Sequence, residues 1–127
     1  MSENTSQSSA CGTAPVLIFP CSGAADVGDL ADRAARKLTK DGTGKMFCLA
    51  GVGAHIDDML ATVKAAEKIL AIDGCPKDCV RRTLEHAGVT HALHMRLTDL
   101  GHAKGASPAT DERIAEVAAQ AKAMLAQ

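Results

Sequence analysis

The chain has 127 residues, 46% of them hydrophobic and 23% charged, with a formal net charge of −1. That suffices for one domain with its own core and lies far from a disordered or fibrous composition. With no Trp or Tyr and only Phe19 and Phe47 as aromatics, the near-neutral chain offers nucleic acid neither a basic footprint nor a stacking platform, and no apolar run approaches the roughly 18 residues of a membrane span.

Residues 1–14 are rich in Ser and Thr and contain no Lys or Arg. They read as a disordered tail that carries Cys11, which leaves 15–127 as a single α/β metal-binding domain. The tail lacks the apolar middle of a secretory signal, so a cytoplasmic address is expected, where grouped cysteines more often bind metal or do redox work than form disulfides. Val16–Phe19 is a continuously apolar run, as in a strand buried on both faces. From Asp26 to Lys40, Val27, Leu30, Ala34 and Leu38 recur at helical spacing, and Asp41-Gly42-Thr43-Gly44 ends that helix. Lys45–Ala50 reads as a second strand and Gly51-Val52-Gly53 as a loop. Asp57 or Asp58 opens a second helix to about Lys68, and Ile69–Ile72 is the third strand. Pro76 suits the first position of a third helix ending near His86, with Ala87-Gly88 as its stop. Val89–Leu97 gives a fourth strand. A last helix over about Ala109–Ala126 buries Ile114, Val117, Ala121 and Leu125. Four β-α pairs predict a three-layer, Rossmann-like α/β fold, with a mostly parallel sheet of four or more strands and helices on both faces.

Four of the five cysteines fall where a strand-like run gives way to a turn or helix: Cys21, Cys48, Cys75 and Cys79. In open α/β sheets the carboxyl ends of the strands border one crevice, where such folds bind ligands. Cys75 and Cys79 are one helical turn apart, and amides at a helix start favour thiolate. Four converging thiolates suit a soft metal, zinc first, although the paired CxxC knuckles of a zinc ribbon are absent. A lone buried cysteine is usually a small hydrophobe; four at corresponding junctions point instead to metal.

Cys21-Ser22-Gly23, Cys48-Leu49-Ala50-Gly51-Val52-Gly53 and Asp73-Gly74-Cys75-Pro76-Lys77-Asp78-Cys79 together resemble the DGC-domain family, named for its Asp-Gly-Cys triplet. The likeness spans about Pro15 to Lys104 and includes Thr98-Asp99-Leu100-Gly101 and Lys104. It implies a zinc-binding protein whose four ligands map onto Cys21, Cys48, Cys75 and Cys79, and it carries no activity with it.

Other readings compete. Cys75 to Arg81 fits Cys-x₅-Arg, the phosphate-cradling loop of cysteine phosphatases and related arsenate reductases, with Cys79 as resolving thiol. Against it, Pro76 removes an amide and the loop has no glycine. An iron–sulfur cluster, bound or carried, is a further expectation from four thiolates. A thioredoxin-like exchanger is disfavoured because the pair is CxxxC. Asp73-Gly74 is read as a turn, and His55, His86, His91 and His94 as structural or bystander residues. His102 and Lys104 are read as solvated loop residues. A metal ion is the expected partner, and the chain is read as a monomer or homodimer.

Overall fold

The computed structural model describes residues 15–127; the tail read over 1–14, with Cys11, lies outside the described residues. The elements in order are β1 (Val16–Pro20), α1 (Asp26–Lys40), β2 (Lys45–Met46), α2 (Leu49–Gly53), α3 (Asp57–Lys64), β3 (Lys68–Asp73), α4 (Cys79–His86), β4 (Leu93–Arg96), a 3₁₀ turn over Leu97–Leu100, and α5 (Asp111–Leu125). The sheet order is β2-β1-β3-β4, and every pairing is parallel. The fold is therefore the expected three-layer α/β architecture. The order reverses direction between β1 and β3, the switch point at which doubly wound sheets open their ligand crevice.

The two central strands, β1 and β3, are apolar over most of their length because both sheet faces are covered there. Successive side chains point to opposite faces, so Leu17, Phe19, Ile69 and Ala71 pack with Val52, Val63, Val80 and Leu84 on the side of α2 and α4. Ile18, Leu70, Ile72 and Met95 pack beneath Leu30, Ala34 and Leu38 of α1 and Val117 and Ala121 of α5. Helix α1 has the predicted bounds, with Asp26 and Asp29 in its first turn and Lys37 and Lys40 in its last, the charge order that its dipole favours. The Thr110 hydroxyl caps α5 by accepting the Arg113 amide at 3.2 Å.

Several boundaries differ from the sequence reading. The second strand ends at Met46, and Cys48 is the extended N-cap of α2, so Gly51-Val52-Gly53 is helix and not loop. Residues 45–50 contain no β-branched side chain to favour a longer strand. Helix α3 stops at Lys64, and β3 begins at Lys68. Helix α4 starts at Cys79 and not at Pro76, because the Asp78 amide donates to the Cys75 carbonyl at 3.2 Å; Pro76 therefore occupies the second position of a β-turn, which its fixed φ also suits. The fourth strand starts at Leu93 because Val89 closes a Schellman cap on α4. Its amide donates to Leu84 O at 2.9 Å and Gly88 N to Glu85 O at 3.0 Å, with Gly88 at φ 85°.

At the β2 rim, Phe47 N donates to Ile18 O at 2.9 Å, while the Met46 amide turns away from the sheet and donates to Thr39 Oγ1 at 2.9 Å. Among the described residues no helix is long and apolar enough to cross a membrane.

Candidate functional site

All four described cysteines are free thiols and stand at the carboxyl edge of the parallel sheet: Cys21 beyond β1, Cys48 between β2 and α2, Cys75 beyond β3 and Cys79 at the first turn of α4. Cys48 and Cys79 are exposed, and Cys21 and Cys75 are half-buried. Cys21 extends the central ladder, its amide donating to Ile72 O at 3.0 Å.

Cys21 and Cys48 line one cavity of about 520 Å³. Its walls include Ser22 after β1, Asp32 and Arg36 from α1, Phe47 and Leu49 around Cys48, and Thr83 from α4. The Ser22 hydroxyl donates to Asp32 Oδ1 at 2.7 Å, and Arg36 Nε donates to Asp32 Oδ2 at 2.7 Å. Burial pushes the Asp32 carboxyl up, but these bonds outweigh it and hold it below the usual carboxylate range. Phe47 packs edge-on against Phe19, with centroids 5.8 Å apart. Thr83, in turn, donates its hydroxyl to Cys79 O at 2.7 Å, so α4 joins this wall to the Cys75–Cys79 segment.

The thiols are not drawn into a tight cluster. Among the described residues, no three sulfurs lie within 4.8 Å of one another; the donor set that meets that spacing is Asp73, Asp78 and His94. Its members already have partners. Asp73 Oδ1 accepts the Val80 amide at 2.8 Å and Oδ2 accepts the Arg81 amide at 3.2 Å. His94 Nε2 lies 2.9 Å from Asp73 Oδ2, within hydrogen-bond distance. Asp78 accepts from Arg96 Nε at 2.8 Å and from Arg81 Nη2 at 3.0 Å, and His94 Nε2 stands 3.5 Å away. Arg96 reaches on to Asp99 at 2.9 Å. The Arg96 guanidinium holds the Asp78 carboxyl below its usual range against the opposing effect of burial, with His94 and Arg81 adding to it. The cluster is thus a buttress beneath the Cys75–Cys79 segment. Asp73 is a remote helix cap for α4, a role the turn reading of Asp73-Gly74 missed.

Close packing also fixes the two central thiol loops. A methyl group on Gly28 would stand 2.5 Å from Gly23 O, and one on Gly74 would stand 2.8 Å from the Val27 carbonyl carbon. The first turn of α1 therefore lies directly against the loops after Cys21 and before Cys75. Ser22 and Asp78, each next to a cysteine, have φ of 51° and 53°, a left-handed backbone that costs about 1–2 kcal/mol for residues other than glycine.

The Cys-x₅-Arg reading meets a geometric obstacle. A phosphate cradle needs loop amides that point inward, but Asp78 N is bonded to Cys75 O, and Val80 N and Arg81 N to Asp73. The Arg81 side chain is shared with Asp78. His102 is buried, not solvated as expected, and its loop is tied to α1 through Asp26, which accepts Gly105 N and Ser107 N, each at 2.8 Å. His55 is exposed at φ 59°, as befits a bystander.

Sheet order, glycine-packed loops and thiol placement define an open parallel α/β domain whose cysteines stand at the carboxyl edge of its sheet. The DGC domain model matches residues 17–121, and the chain belongs to the DGC-domain family. It is similar to the anaerobic and virulence modulator AnvM of Pseudomonas aeruginosa, with 35% identity over 85 residues that make up 67% of this chain and 65% of that protein. No solved structure matches the chain.

Proposed function

We propose that this chain binds a soft metal ion, zinc first, through Cys21, Cys48, Cys75 and Cys79, and that the loaded edge serves a regulatory role and not a catalytic one. The observation that supports the reading is that four free thiols from three β-α junctions stand along the carboxyl edge of the sheet, which holds its switch point. The donor chemistry fits zinc, since thiolates are its preferred structural ligands. Zn–S bonds of about 2.3 Å require four sulfurs about 3.8 Å apart, a tighter set than any three of the described thiols form, so loading would tighten the edge and couple metal binding to its stability. A full set of four sulfurs leaves no open position for water, which argues for an organising ion. A regulatory role also agrees with the name of the similar Pseudomonas aeruginosa protein, a modulator.

The test is elemental analysis of protein purified without added metal. Near-equimolar zinc, lost in the Cys75→Ser/Cys79→Ser double variant, is the expected result. Metal-free protein whose thiols all titrate would reject the reading. A brown anaerobic preparation would replace zinc by an iron–sulfur cluster on the same cysteines.

A further inference from the structure

We infer that Arg96 is a positioning residue for Cys75 and Cys79, acting through Asp78, and that His94 acts on the same segment through Asp73. Three observations converge on this. First, the side chains of Asp73 and Asp78 are 1% and 3% exposed, and each bears on a segment boundary: Asp73 caps the amides of Val80 and Arg81, and Asp78 is the N-cap residue of α4. Second, Asp78 takes a left-handed backbone at φ 53°, a conformation that a residue with a Cβ keeps only where its surroundings enforce it. Third, the enforcing groups come from far along the chain. Arg96 lies 18 residues from Asp78, and His94 lies 21 from Asp73, both on β4, the strand beside β3.

An N-cap normally holds its own helix through its side chain. The Asp78 side chain makes no such cap bond; it turns to Arg96 and Arg81, and Asp73 takes over the capping. The carboxylate next to Cys79 is thereby spent on locking the turn to the sheet, which sets the direction in which both thiols of the CxxxC pair leave the backbone. Partners that orient metal ligands are worth about 10–100-fold in affinity. Where zinc affinity is the readout, the inference rests on the metal reading; where thiol geometry is the readout, it stands alone.

The experiment therefore measures both on the full chain. Arg96→Lys keeps the charge and loses the two-pronged grip. Asp78→Gly removes the tether while allowing the left-handed backbone, so it should fold even if Arg96→Lys does not. In metal-free protein, alkylation followed peptide by peptide should show Cys75 reacting several-fold faster relative to Cys48 in both variants, with circular dichroism unchanged. Zinc competition titrations should show affinity lower by about 10–100-fold, and His94→Gln should shift both readouts in the same direction. Unchanged Cys75-to-Cys48 and Cys79-to-Cys48 rate ratios in folded variants would overturn the inference. A wild type that binds no zinc while those ratios shift would overturn the metal reading and uphold the positioning role.

Discussion

Cys75 and Cys79 stand on a segment tied down from below by Asp73, from the side by Arg96 and from α1 by the contact at Gly74, whereas Cys48 stands on an arm held at its base. That arm leaves a strand of two residues, enters a helix of five, and is steadied by Phe47 against Phe19 and by Thr39 under Met46. Cys21 lies between the two, on the central strand, with its loop pressed by Gly28. The difference teaches how such a site would assemble: one pair of thiols is set by side-chain bonds to neighbouring strands, and a third stands at the start of a short helix held by apolar packing of Val52.

The sharpest way to break this comparison is Asp73→Ala. It strips two helix amides and His94 of their partner in a buried place, and a loss of about 2–4 kcal/mol in urea unfolding is expected from the lost cap and the orphaned donors. A loss below about 0.5 kcal/mol, the level of an ordinary surface change, would show that the buttress is idle. Next comes a pair of glycines. Gly28→Ala meets backbone at Gly23 and should cost about 1–3 kcal/mol, while Gly51→Ala meets only the flexible tip of Met59 and should cost less; equal losses would erase the contrast between the clamped and the loose side. The smallest effect concerns acid. Backbone amides of Gly105 and Ser107 hold the Asp26 carboxyl below the usual carboxylate range. A depressed carboxylate stabilises the fold above its unfolded pKa and loses that contribution as pH falls through the lower folded value. Amide exchange at Gly105 and Ser107, corrected for its intrinsic rate, should therefore rise only below about pH 4; exchange that stays flat on further acidification would show that Asp26 does not hold this loop to α1.

Much of this was legible in the sequence where the signal was local. The bounds of α1 follow from its apolar spacing and its end charges, and the four thiols could be placed at β-α junctions by reading where apolar runs stopped. The start of α4 was misread because Pro76 serves a turn as readily as a helix, and only the Asp78 amide bond to Cys75 O decides between them. Helix α2 was missed because five residues with two glycines carry no periodic pattern. The bonds from Arg96 and His94 to Asp78 and Asp73 span 18 and 21 residues, so nothing in a window of neighbours announces them. They appear only once β3 and β4 lie side by side.

Thr39 bears on how this molecule meets its neighbours. By taking the outward amide of Met46, its hydroxyl removes a donor that a visiting strand would need to add itself to the sheet. Edge-to-edge stacking of copies along that border would first have to break a bond within the chain. The side of the sheet that carries Cys48 is thus guarded against ribbon-like association, while its thiol stays open to solvent and to small solutes.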